Sequence, residues 1–193
     1  MPGPLLSDLD GTIADTAPAI FHSLRVTCAE LGLPLTNEDE LSWSLGPPLH
    51  WCLERLGVST DQLEVAVTIF EQAHTQALDL VRPMPGADIV LPELARAGVR
   101  IGVATIKPQG IAELVLDVIG LREHISCVHG RSDDFDPRTK TDLLKAAAAE
   151  LGGSGPLFVG DHDNDEQAAA ALGIPFLRYP DHSWSEIRAR IYG

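Results

Sequence analysis

Pro4-Leu5-Leu6-Ser7-Asp8-Leu9-Asp10-Gly11-Thr12 is the stretch on which the reading of this chain turns. A short apolar run ends in two carboxylates at alternate positions. On an extended strand such side chains leave on the same face. Gly11 then lets the backbone turn where a side chain would obstruct. Two like charges this close are costly unless a cation or a shared proton offsets them. Aspartate is a covalent nucleophile for phosphoryl groups, and a divalent cation beside it screens an incoming phosphate dianion. A turn after an edge strand uses the same residue types, so the rest of the chain has to decide between the two.

The chain has 193 residues, 45% hydrophobic and 22% charged, a balance that supports one generous domain or one domain with an insert. Its formal net charge is −14, from 14 basic and 28 acidic side chains. Such a surface repels polyanions, and no run of Lys or Arg offers a local exception, so no nucleic-acid partner is expected. Small phosphate esters stay open, because a bound cation reverses the local field. Cys28, Cys52 and Cys127 are scattered with no C-x-x-C pair, so they are expected to be ordinary buried residues. Met1-Pro2-Gly3-Pro4 lacks a basic segment followed by a long apolar one, and no stretch approaches a membrane span. The expectation is a soluble cytoplasmic protein.

Strand-like apolar runs occur at 4–7, 99–104, 125–128, 156–159 and 175–177. From the second onward they alternate with amphipathic helical patterns. Ile111, Leu114, Val115, Val118 and Ile119 form one stripe, and Leu143, Leu144, Ala147, Ala148 and Leu151 another, stopped by Gly152-Gly153. Short apolar strands alternating with helices indicate a parallel sheet covered on both faces. Between 16 and 83 the chain reads as helices only. Ile20, Leu24, Cys28 and Leu31 make one stripe. Helices are predicted over 36–44, with Asn37 and Glu40 spaced as a capping pair, over 47–56, and as one long helix over 60–81. Arg82-Pro83-Met84-Pro85-Gly86 breaks the pattern as a linker would. Pro92 either opens the next helix or kinks it.

In open α/β sheets ligands bind at the carboxyl ends of the strands. Asp8 and Asp10 end the first strand, Thr105 the second, and Gly160-Asp161-His162-Asp163-Asn164-Asp165 the fourth, while Lys140 precedes the helix expected at Asp142. Each suits phosphoryl chemistry. Thr105 can donate to a phosphate oxygen, and a following helix aims N–H groups at the same place. Lys140 is a point charge able to hold both a phosphate and a carboxylate. Asp161 and Asp165 add carboxylates beside the metal, and Mg²⁺ is usually held by a few carboxylates, waters and substrate oxygen. His162 and Asp163 invite a zinc reading, but they stand at spacer positions and no H-x-x-x-H pair supports it.

Asp8-Leu9-Asp10-Gly11-Thr12, Thr105, Lys140 and Gly160-Asp161-x-x-x-Asp165 resemble, in order, the four motifs of the haloacid dehalogenase superfamily. The helical insert is similar to the cap of its phosphoglycolate phosphatase-like branch. Leu45-Gly46-Pro47-Pro48-Leu49, Arg82-Pro83-Met84-Pro85-Gly86 and Ala104-Thr105-Ile106-Lys107-Pro108 agree with it. The resemblance implies an α/β fold, with a Rossmann-like parallel sheet as core (1–15 and 84–193) and a helical cap (16–83) inserted after the first strand. It implies a Mg²⁺-dependent phosphatase that hydrolyses a small phosphorylated metabolite through an aspartyl-phosphate. Asp8 is then the nucleophile and Asp10 the general acid and base. Asp8, the Asp10 carbonyl and Asp161 hold Mg²⁺, with Asp165 supporting the metal or its waters. Gly11, Thr12, Thr105, the Ile106 N–H and Lys140 bind the phosphate. Neither membrane nor nucleic acid is implied as a partner, and the assembly is a monomer or homodimer.

Asp10 separates branches, because true haloacid dehalogenases lack a carboxylate there. A phosphomutase of the superfamily is the alternative, although His22 does not match the mutase spacing well. A non-catalytic phosphometabolite-binding protein is another. Three departures from the pattern stand out. Ser7 replaces an apolar residue, Ile106 a polar one, and Arg138-Thr139-Lys140-Thr141 is less stereotyped than the other motifs. Lys107 is the competing cation, read here as an exposed lysine before Pro108.

Overall fold

The computed structural model describes residues 3–34 and 39–192. Strand β1 (Leu5–Ser7) and the short β2 (Ala14–Asp15) open the chain. Helices α1 (Ala17–Glu30), α2 (Leu49–Arg55) and α3 (Leu63–Gln76) follow. Then come β3 (Arg82–Pro83), α4 (Ala87–Arg96), β4 (Ile101–Pro108), α5 (Gln109–Val118) and β5 (Cys127–Arg131). The chain closes with α6 (Lys140–Leu151), β6 (Leu157–Gly160), α7 (Asp163–Leu172), β7 (Phe176–Arg178) and α8 (Trp184–Tyr192). It divides into two compact units, Met1–Asp15 with Arg82–Gly193, and Thr16–Val81.

The first unit is an α/β layer fold. Its sheet has the order β5-β4-β1-β6-β7, and every pairing is parallel. Leu5 sits opposite both Ile101 and Leu157, so β1 is clamped between β4 and β6. Leu6, Ala104 and Phe158 pack with Leu143, Leu144 and Ala169 of the helices on one face. The alternate residues Leu5, Ile101, Val103 and Val159 are also buried. Burial on both faces is why these strands read as continuous apolar runs. Residues that follow β1, β4 and β6 are therefore brought side by side at one edge of the sheet. A two-stranded antiparallel ribbon, β2 with β3, joins the points where the chain leaves this unit and returns to it.

The second unit is helical. Leu24, Leu41, Leu53, Ala66, Val67 and Phe70 make its core. The stripe from Leu63 through His74 to Val81 is buried as its spacing suggests, but the backbone is not one helix. A 3-10 turn at Thr60–Gln62 precedes α3, and another at Leu78–Leu80 follows it. Bonds from Leu80 N to Ala77 O and from Val81 N to Leu78 O, three residues apart, tighten the chain into that second turn. Of the helix expected over 36–44, the part over 36–38 lies outside the described residues, as does the proposed capping of Asn37 with Glu40. Asp39–Ser44 is a 3-10 helix.

Two further elements, β4 and the start of α6, differ from the sequence reading, and the placing of Pro92 that it left open is resolved. β4 runs on through Thr105 to Pro108, its register against β5 shifting between Ala104 and Pro108. Pro92 lies inside α4, which continues past it to Arg96. Lys140 does not precede its helix but opens it.

Candidate active site

The loop after β1 is the scaffold of the site. Asp8 N donates to Val159 O at 2.8 Å, which continues the ladder with β6 one residue past the strand. Ser7 is fully buried within β1 and its hydroxyl donates to the Asp8 carbonyl at 2.7 Å. The polar residue therefore neither shortens the strand nor points at the chemistry. Leu9 O accepts from Ile13 N and Ala14 N, both at 2.9 Å, and this curls the loop tightly. Gly11 sits at φ 76°, and a Cβ there would come within 2.3 Å of Asp161 Oδ2. Glycine is required on both grounds, conformation and space. Gly160 has the same spatial reason, since its Cβ would lie 2.5 Å from the Asp165 carboxylate carbon.

Asp8, Asp161 and Asp165 converge, each offering an oxygen within 4.8 Å of the others. Lys140 lies among them. Its Nζ is 2.5 Å from Asp8 Oδ1 and 2.8 Å from Asp165 Oδ1. It is placed by a capping box at the start of α6. Thr139 Oγ1 accepts from Asp142 N at 3.2 Å, and Asp142 Oδ2 accepts from Thr139 N at 2.8 Å. The Thr139-x-x-Asp142 spacing was a legible signal for that helix start. Burial pushes the Asp8 carboxyl well above the usual carboxylate range, with Asp165 and Asp161 adding repulsion against the pull of Lys140. Burial chiefly raises Asp161 as well, Asp165 again repelling it. Burial works against the Lys140 charge, yet Asp8 and Asp165 together hold its pKa above the ordinary lysine value.

Asp165 Oδ2 accepts from His162 N at 3.0 Å, so each of its oxygens already has a donor. It fixes the start of α7 and holds Lys140. Asp161 accepts from Thr12 Oγ1 at 2.9 Å, while Arg178 Nη1 donates to its carbonyl at 2.9 Å. Thr12 is fully buried, its hydroxyl turned to Asp161 and its carbonyl accepting from Trp184 Nε1 at 3.1 Å. Thr105 is buried, and its Oγ1 accepts from Lys107 N at 3.2 Å. The Ile106 side chain packs into the sheet–helix core.

Lys107 is a correction. The sequence reading made it an exposed lysine, but its side chain is only 8% exposed and its Nζ lies 3.3 Å from Asp10 Oδ2. The signal was its position two residues beyond Thr105 on a strand that continues, which puts both on one face. Asp10 thus meets Lys107, while its carboxylate stands apart from the three-aspartate group. Arg178 gave no sequence signal, because only strand order brings β7 beside β6. His162 and Asp163 are engaged locally. The His162 ring accepts from Asn164 N at 3.4 Å, and Asp163 pairs with Arg178 at 2.9 Å.

The donor set of Asp8 and Asp161, with Asp165 behind, is all oxygen and suits a hard divalent cation. Their mutual repulsion, and the burial that pushes the Asp8 and Asp161 carboxyls up, are what such a cation would offset. A family model for haloacid dehalogenase-like hydrolases matches residues 5–179. The chain belongs to the haloacid dehalogenase-like hydrolase family. It is 32% identical over 178 residues to the tyrosine-protein kinase PtkA of Mycobacterium tuberculosis, covering 90% of this chain but 60% of that one. It is 31% identical to the phosphoglycolate phosphatase of Caulobacter vibrioides, covering 87% of this chain and 75% of that one. A haloacid dehalogenase-like family hydrolase from Streptococcus pneumoniae has the same fold, with a TM-score of 0.85 at 22% identity over 98% of both chains. The family match spans the residues after β1, in β4, at the start of α6 and after β6. No helix among the described residues is long and apolar enough to cross a membrane.

Proposed function

We propose that this hydrolase is a divalent-metal-dependent phosphomonoesterase acting on a small phosphorylated metabolite. The observation that carries the reading is the Asp8 carboxylate, held by Lys140 at 2.5 Å beside Asp161 and Asp165. Asp8 attacks phosphorus in line with the ester oxygen, and the P–O ester bond breaks as an aspartyl-phosphate forms. Asp10 gives its proton to the departing alkoxide. It then takes a proton from water, which attacks the aspartyl-phosphate, releases inorganic phosphate and restores Asp8. Lys140 and the Thr105 hydroxyl hold the phosphoryl oxygens and offset the charge that builds on them. Lys107 orients Asp10. Thr12 and Arg178 hold Asp161. Mg²⁺, held by Asp8, Asp161 and the Asp10 carbonyl, would neutralise phosphoryl charge that the lysines leave uncompensated.

The net charge of −14 disfavours polymeric anions and leaves small esters, with phosphoglycolate, nucleotides and sugar phosphates as the classes to compare. Hydrolysis of a generic aryl phosphate with and without Mg²⁺ tests the chemistry. A metabolite panel run against a phosphopeptide and a 5′-phosphorylated oligonucleotide tests the substrate class. Full turnover in excess EDTA after metal removal would overturn the metal-dependent reading. A preference for either macromolecule would overturn the substrate class. No turnover at all would favour a binding role, and dependence on a sugar bisphosphate a mutase.

The mycobacterial relative supports a second reading, phosphoryl transfer to protein tyrosine. The phosphatase reading is preferred because Asp10, oriented by Lys107, can serve in turn as acid and base for ester hydrolysis. Incubation with labelled ATP separates the two. Label on tyrosine supports transfer, whereas label released as inorganic phosphate supports hydrolysis.

A further inference from the structure

Strand β5 begins Cys127-Val128-His129, and residues at alternate strand positions share a face. That face meets α6. Cys127 Sγ lies 4.0 Å from Ala147 O, and His129 Nε2 lies 2.8 Å from Glu150 Oε2. Ala147 and Glu150 are three residues apart and so neighbours on the helix surface. Sγ, a ring nitrogen and a carboxylate oxygen of the three residues all lie within 4.8 Å of one another. Cys127 is a free, buried thiol.

We infer that Cys127, His129 and Glu150 form a binding site for Zn²⁺ or a similar transition-metal ion, separate from the three-aspartate group. One thiolate, one imidazole and one carboxylate are three ligands of the kind zinc takes, and a thiolate selects against Mg²⁺ and Ca²⁺. Zn–N and Zn–S bonds are about 2.0 and 2.3 Å, so the three ligand atoms draw together around the ion, and the exposed Glu150 side chain can swing toward it. On binding, the Cys127 S–H bond breaks, its proton goes to solvent and the sulfur takes the metal. The ion also takes the place of the proton between His129 Nε2 and Glu150, which passes to solvent from a charged ring or to Nδ1 in a neutral one. Glu150 is 59% exposed at its side chain, so water completes the fourth position. Lys140 and Glu150 stand at opposite ends of α6, about 15 Å apart along the helix axis. An ion here fastens the last turn of α6 to β5 and leaves the oxygen-only site free for a hard cation.

Titration of the full-length protein with Co²⁺, read by the thiolate-to-metal charge-transfer absorption, tests the site. About one equivalent of Co²⁺ should develop the band, Zn²⁺ should bleach it and a large excess of Mg²⁺ should not. Cys127→Ser should abolish the band. His129→Gln and Glu150→Gln should raise the Co²⁺ Kd at least about tenfold. Glu150 is at the surface, so its variant keeps the test decisive even where Cys127→Ser fails to fold. Glu150→Gln should also leave phosphatase turnover unchanged. The absence of a band in folded wild type would overturn the site. So would a band that survives in Cys127→Ser, or displacement by Mg²⁺. An unchanged Co²⁺ affinity in Glu150→Gln would overturn it too.

Discussion

The Lys140 ammonium lies 2.5 Å from Asp8 Oδ1 across 132 positions of sequence, and both side chains are buried. The pair joins the first strand to the start of α6, and Asp165 closes it from the start of α7. Removing the lysine leaves two carboxylates facing each other without a cation. Lys140→Met should therefore destabilise the metal-free protein by about 3 kcal/mol, the usual cost of breaking a buried pair. Denaturant unfolding in EDTA measures this, and a change within error of zero would mean the pair holds nothing. Turnover should fall at least about 100-fold, because in the proposed mechanism phosphate and nucleophile share this cation.

Asp8→Asn preserves shape and removes the nucleophile of the proposed mechanism. Turnover should fall by at least about 10³-fold with the circular dichroism spectrum unchanged. Activity near wild type in the folded variant would end the covalent mechanism.

Gly11→Ala places a methyl group against the Asp161 carboxylate at a backbone angle that disfavours it. The strain should cost about 1–3 kcal/mol. Mg²⁺ affinity should drop with it, since Asp161 has to move. Calorimetric titration with Mg²⁺ checks the second effect, and unchanged affinity would show that Asp161 is not a ligand.

The carboxylates give a pH dependence with a definite sign. Asp8 and Asp161 have folded pKa values raised from the ordinary aspartate value, Asp8 well above it, chiefly through burial. Their contribution is fully present below the unfolded carboxylate pKa and is lost as pH rises through the folded values. Lys140 is raised too, from the much higher ordinary lysine value, so its contribution persists through neutral pH and is lost only in strong alkali. Metal-free protein should thus lose stability as pH climbs from the acid side. In the proposed mechanism Mg²⁺ binds the ionised carboxylates, so the Tm gain it produces should grow over the same window. Ca²⁺ should raise the Tm too but support poor turnover, because its longer bonds and extra ligands misplace the nucleophile. Melts across about pH 5–8 measure the trend, and a gain that shrinks with rising pH would contradict it.

Lys107→Met tests the lysine that the sequence reading set aside. Loss of its contact with Asp10 should lower kcat/KM about 10- to 100-fold, as misorienting an acid–base group does. Stability should change by no more than about 1 kcal/mol, since the pair is partly open to solvent. Equal kinetics in wild type and variant would return Lys107 to the role of a surface lysine.

The sequence by itself determined the α/β architecture and the helical character of the stretch after the first strand. It also determined the identities of Asp8, Asp161 and Lys140 as candidates. These rest on short-range physics. Apolar periodicity, glycine stops and carboxylates at strand ends are read within a few residues. Tertiary structure alone decided the partners. Strand order sets β1 between β4 and β6 and β7 beside β6, so Lys140 meets Asp8, Lys107 meets Asp10 and Arg178 reaches Asp161. A lysine or arginine is long and flexible, and no local pattern says which carboxylate it will find. The same limit hid the approach of Glu150 to Cys127 and His129, which exists only because α6 packs on β5. It also hid the 3-10 turns at both ends of α3. There the apolar stripe persists while the backbone hydrogen bonds span three residues rather than four, and hydrophobic spacing cannot register that difference.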